Sequence, residues 1–153
     1  MRKIFLSIIL ILSACLAYGQ ILSDSAKIYL VTCTPGTEVW SKYGHTGIRV
    51  EDPTQKLDIA FNYGVFFMGE GFYGKFIKGD TYYQLGIEPY SYFLKSNQRI
   101  SRITYWQELN LTKDQKEKIF EALLINYRPE NRFYHYNFVF DNCATRPYHL
   151  IRN

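Results

Sequence analysis

The run from His45 to Phe61 constrains the fold of this chain more than any other, because two alternating apolar segments flank Asp52-Pro53-Thr54-Gln55, a tetrapeptide with turn chemistry. A turn centred there pairs residues whose numbers sum to 107, so Ile48 faces Ile59 and Val50 faces Leu57. Side chains alternate faces along a strand, and this register gathers Thr46, Ile48, Val50, Leu57, Ile59 and Phe61 on one side. Arg49 opposite Asp58 and His45 opposite Asn62 fall on the other, within reach of one another. One register sorts the apolar residues, pairs a cation with an anion and gives a histidine an amide partner. An antiparallel sheet is the expectation.

Around this hairpin the chain reads as α+β. Lys27 to Thr34 is a β-rich run stopped by Pro35-Gly36, and Glu38 to Tyr43 predicts a short helix leading to His45. Tyr63 to Tyr92, aromatic and glycine-punctuated, reads as irregular loop with at least one strand, and Ile100 to Asn110 as another strand. The clearest helix starts at Thr112, where Gln115 completes a capping box and Ile119, Phe120, Leu123 and Leu124 form a buried stripe, and it ends at Arg128-Pro129. Tyr134 to Phe140 alternates as a strand does. Asp141-Asn142 can cap a last helix, although Pro147 also allows Cys143 to sit in a turn before a helix starting at Pro147.

The first residues are a targeting segment, with Met1-Arg2-Lys3 as basic region and Ile4 to Leu12 as apolar region. Two readings of its cleavage compete. A cut after Gly19 makes residues 1–19 a signal peptide, whereas Leu12-Ser13-Ala14-Cys15 matches a lipobox that would leave a lipid anchor on Cys15. Both put the folded part outside the cytoplasm, at the periplasm or the outer face of the inner membrane. Removing residues 1–19 takes two cations and no anions from 18 and 14, leaving 16 against 14. That balance argues against nucleic acid as partner and is compatible with a membrane surface. The 153-residue chain has no repeat or linker and reads as one domain.

Two segments carry candidate chemistry: Tyr43-Gly44-His45-Thr46-Gly47, a strand opening on a histidine, and Phe140-Asp141-Asn142-Cys143-Ala144-Thr145-Arg146, a strand turning into a helix. A thiolate is a strong nucleophile but sparse at neutral pH, so a catalytic cysteine needs a base and an electropositive setting such as a helix start. Cys143 is accordingly a nucleophile, a buried inert thiol, or the disulfide partner of Cys33. His45 is a base or a structural histidine, and His135 and His149 read as structural. The spacing of histidines and cysteines suits no zinc site, and no phosphate loop, dinucleotide fingerprint or serine elbow is present, so neither metal nor cofactor is expected.

Five ordered motifs resemble a known family: Thr32-Cys33-Thr34-Pro35-Gly36, Trp40 to Val50, Phe61-Asn62-Tyr63-Gly64, Arg128-Pro129-Glu130-Asn131-Arg132 and Asp141 to Arg146 look like the signature of the Lnb N-terminal periplasmic domain, from Lys27 to the C-terminus. The resemblance implies a lipoprotein N-acyltransferase role, with a phospholipid as acyl donor and a lipoprotein as acceptor. The order of His before Asn-Cys is also similar to circularly permuted papain-like enzymes such as lecithin:retinol acyltransferase and NlpC-related hydrolases. Carried over, Cys143 is the nucleophile, with a free, accessible, low-pKa thiol, His45 the base and Asn62 the orienting residue. Family enzymes continue into a membrane-embedded part, whereas this chain ends ten residues past the cysteine, so a C-terminally truncated domain is expected. The alternatives are a thiol hydrolase on the same fold and a non-catalytic exported binding or accessory domain held by Cys33–Cys143.

Overall fold

The computed structural model describes residues 22–152. The targeting segment, with its alternative anchor at Cys15, lies outside the described residues. The described residues are α+β, with six antiparallel strands in one sheet: β1 (Lys27–Cys33), β2 (His45–Asp52), β3 (Leu57–Phe66), β4 (Tyr82–Pro89), β5 (Thr104–Glu108) and β6 (Phe133–His135). Their order across the sheet is β5-β1-β2-β3-β4-β6. Four helices accompany it, α1 (Phe72–Lys78), α2 (Tyr90–Arg99), α3 (Lys113–Tyr127) and α4 (Thr145–Arg152), together with a 3₁₀ turn at Val39–Ser41 where a short helix was expected.

The β2–β3 hairpin keeps the predicted faces but not the predicted register. Ile48 pairs with Phe61 and Val50 with Ile59, a slip of two residues, while Asp52 closes the turn against Leu57. The turn is longer than the one read from Asp52-Pro53-Thr54-Gln55 because Lys56 takes a left-handed conformation at φ 54° and the Asp52 carboxylate is engaged, accepting from the N–H groups of Ser23 at 2.7 Å and Gln55 at 3.3 Å. A slip of two preserves the side of the sheet on which every residue lies, so the sorting survives. Ile48, Val50 and Phe61 are buried in the main core with Ile28, Leu85 and the α3 residues Ile119, Phe120 and Leu123. Arg49 still meets Asp58, now diagonally, with its Nε donating at 2.7 Å.

The opposite face is also covered. Tyr90 and Phe93 of α2 pack on Tyr29, Val31, Cys33 and Ala60, a second apolar cluster on the same side as His45 and Asn62. The stretch from Tyr63 to Tyr92 is thus more regular than its glycines suggested. Gly71 and Gly79, left-handed at φ 74° and 70°, bracket α1 and hide a seven-residue helix behind breaker residues. Helix α3 carries the predicted capping box between Thr112 and Gln115 and ends at Arg128.

The last predicted strand is cut short. Asn137 accepts from the N–H groups of Val139 and Phe140, both at 2.9 Å, and folds the chain into a turn instead of letting β6 run to Phe140. Asn142 then caps α4, its Oδ1 accepting from Ala144 at 2.9 Å and Thr145 at 3.0 Å. The helical pattern therefore precedes Pro147, which falls in the first turn, where a missing N–H is tolerated. Bidentate bonding of Arg146 to Asp141 at 2.6 and 2.8 Å, with the guanidinium 3.7 Å above the Tyr134 ring, fastens this turn to the sheet.

Candidate functional site

Cys143, His45 and Asn62 line one cavity of about 730 Å³, a volume suited to a small-molecule ligand. Each arrives on a different element. His45 opens β2 immediately after Gly44, whose φ of 76° lets the chain swing from the 3₁₀ turn into the strand. A side chain at Gly44 would also bring its Cβ to 2.8 Å from the Cys33 carbonyl. Asn62 stands mid-β3, just before the register shift that separates it from Val65. Cys143 follows the capping residue of α4, and its N–H is not taken up by that cap.

The Asn62 amide decides the histidine's tautomer. Its Oδ1 accepts the Gly64 N–H at 2.8 Å, and its Nδ2 donates to Glu88 Oε1 at 3.3 Å, so the amide has one orientation. Oδ1 also lies 2.8 Å from His45 Nε2, which must therefore be the protonated nitrogen. Nδ1 keeps the lone pair. Gly64 sets the ring's position from behind, because a Cβ there would stand 2.4 Å from His45 Cε1 and 3.0 Å from Nδ1.

Electrostatics hold the pair in its uncharged form. Burial, followed by the positive charge of Arg102, pushes the His45 imidazole down to about 4, against a smaller opposing effect of the Asn62 bond. Burial likewise pushes the Cys143 thiol up, opposed by the Thr46 N–H at the sulfur and by Arg102. The expected low-pKa thiol is corrected: Cys143 is free but half-buried, and withdrawal from water outweighs the local positive groups. Cys33 is also free and buried, its sulfur 3.6 Å from Thr104 Oγ1, so the Cys33–Cys143 disulfide is not formed.

Two other histidines lie apart from the cavity lining. His135 meets Asp80 at 2.9 Å on the surface, and His149 packs edge-on against Tyr148 on α4. The aromatic cluster of Phe66 to Tyr73 divides. Phe66 and Phe72 stack at 5.0 Å and pack inward, whereas Phe67, Met68 and Tyr73 are exposed. Sequence reasoning missed Arg102, Glu88 and the role of Gly64. A glycine inside an apolar strand does signal close approach of another group, so Gly64 was detectable. Arg102, in Ile100-Ser101-Arg102-Ile103, carries no periodic or motif signal.

The model of the Lnb N-terminal periplasmic domain matches residues 16–153. The chain belongs to that family. The match includes all three cavity residues and the segments that carry them, and the family is a periplasmic one, in keeping with export. Comparison with curated proteins and with solved structures returned no match. Among the described residues no helix is long and apolar enough to cross a membrane.

Proposed function

We propose that the domain is a thiol acyltransferase of circularly permuted papain-like arrangement, with Cys143 as nucleophile, His45 as base and Asn62 as the residue that orients His45. One observation carries the reading: a neutral imidazole with its Nε2–H committed to Asn62 and its Nδ1 unprotonated lines the same cavity as a free thiol at a helix start. The Cys143 proton passes to His45 Nδ1 as the sulfur attacks the carbonyl carbon of an ester. The tetrahedral oxyanion collapses, and the departing alkoxide takes the proton back from His45, leaving a thioester. An amine then attacks the thioester carbonyl, His45 receives the amine proton, and the thiolate leaves and is reprotonated. The Cys143 N–H, unused by the cap, is a natural donor to the oxyanion.

The proposed acyl donor is a phospholipid and the proposed acceptor a lipoprotein amino terminus, on the family resemblance. The apolar residues at the cavity support a lipid donor. Val39, Tyr43, Tyr73, Ile77 and Phe138 line the cavity and are exposed at the same time, Ile77 at 84%. Such an apolar patch on a protein surface suits acyl chains or a bilayer surface.

The test is intact-mass detection of an acyl adduct after incubation with phospholipid vesicles, with hydroxylamine lability as the mark of a thioester. Wild type should acquire the adduct and Cys143→Ala should not. His45→Ala should slow its formation by about 10²–10⁴-fold, and Asn62→Ala by less, since it orients the base without moving the proton. An adduct retained in Cys143→Ala, or hydrolysis of the lipid without transfer to an amine, would overturn the assignment.

A further inference from the structure

Arg102 also lines the cavity, and its surroundings are unusual for a half-buried guanidinium. Its Nη2 donates to the carbonyl oxygens of Ser41 at 3.2 Å and Gly44 at 3.0 Å, and its Nη1 to Asn97 Oδ1 at 3.2 Å. All three acceptors are neutral. No carboxylate of the described residues forms an ion pair with Arg102, and its Nε is buried without a partner. A cation withdrawn from water without a counter-ion is strongly unfavourable, so a site that keeps one has a use for the charge. The carbonyl of Gly44, which it grips, directly precedes His45.

We propose that Arg102 is the fixed cation of the site, the charge against which negative charge develops on the Cys143 sulfur and on the oxygen of the attacked carbonyl. This rests on the reading of Cys143 and His45 as nucleophile and base. Many thiol sites hold a thiolate against an imidazolium. Here the imidazole is neutral, and the positive charge comes from a side chain that cannot lose its proton. The same cation acts on both groups in one direction: it disfavours a proton on His45 and favours ionisation of Cys143. The other titratable groups facing this pair are Glu88, which is hydrogen-bonded to Asn62, the cavity tyrosines Tyr43, Tyr73, Tyr83 and Tyr136, and Cys33, cross-strand from His45 on β1. Glu88 is the one carboxyl group among them, and it is engaged by Asn62 and not by Arg102.

Removing the charge and loosening the site have different signatures. Loss of a nearby cation raises both pKa values, whereas admitting water raises that of a buried imidazole and lowers that of a buried thiol. The experiment is to titrate His45 by side-chain NMR, assigned with His45→Gln, and Cys143 by its alkylation rate against pH. In Arg102→Gln both should move up by about one pH unit, and in Arg102→Lys, which keeps the charge, both should return towards wild type. Asn97→Asp offers a second route that leaves the guanidinium in place: a carboxylate at its Nη1 should raise both. Should Arg102→Gln not fold, Asn97→Asp decides alone. His45 up with Cys143 down, or no movement of either, would overturn the proposal. These readouts need no turnover. An absent thioester in wild type, with both pKa values responding, would remove the acyl-transfer reading and leave Arg102 its role, and the converse pattern would do the reverse.

Discussion

The His45 imidazole owes its depressed pKa first to burial, and this sets a pH dependence of stability as well as of chemistry. A histidine at an ordinary 6.5 in the unfolded chain and about 4 in the folded one binds its proton more readily when unfolded. The fold is therefore favoured in full above pH 6.5, and the contribution disappears as the pH falls from there to about 4. The difference corresponds to about 3 kcal/mol. Chemical denaturation at a series of pH values should show wild type losing stability across this window, and His45→Gln should lose less. A variant as acid-sensitive as wild type would mean that His45 is not the group responsible. For catalysis the acid limb should fall near pH 4, while the alkylation rate of Cys143 in the resting protein should climb only towards alkaline pH, as befits a thiol pushed up by burial.

Strands β2 and β3 supply His45 and Asn62, the proposed base and its orienting residue, as one unit, and Gly64 is the point at which that unit is tightest. The imidazole occupies the space that any side chain at Gly64 would need, with Cε1 2.4 Å from the position of a Cβ. Gly64→Ala should push the ring off Asn62, costing about 1–3 kcal/mol and nearly all thioester formation. Thermal unfolding and the adduct assay on the same preparation check it; full activity would show that the ring can yield. Gly86 has a similar constraint across the bulge, with a Cβ 2.7 Å from Val65 Cγ2, but does not touch His45. Substitution there should disturb the β3–β4 pairing while leaving the Asn62–His45 bond, which separates loss of sheet geometry from loss of that contact.

At the scale of the whole molecule, the sheet carries His45 and Asn62, the turn into α4 delivers Cys143, and apolar residues line the cavity they share. Ile77, at 84% exposure, lines that cavity, and Phe67, at 87%, follows the lining residue Phe66 in the chain. Phe67→Ser with Ile77→Ser should leave the melting temperature unchanged and lower co-sedimentation with phospholipid vesicles. Equal sedimentation of variant and wild type would remove these two residues from lipid binding. Much of the framework was legible in the chain itself. Alternation marked β1 and the faces of β2 and β3, Thr112 and Gln115 announced α3, and Asp141-Asn142 offered a cap for α4 beside a start at Pro147, because each is governed by neighbours within a few residues. The family motifs named Cys143, His45 and Asn62 from positions far apart in sequence. The hairpin register escaped, since it hung on the left-handed Lys56 and on a carboxylate captured by the distant Ser23. The short helices around Gly71 and Pro89 escaped because breaker residues mask a helix held by packing. Ionisation and charge were decided only by the tertiary structure. Burial raises the Cys143 thiol and lowers His45, and Arg102 reaches both from a segment with no pattern of its own, because desolvation and Coulomb forces depend on what the fold brings near and not on what precedes or follows in the chain.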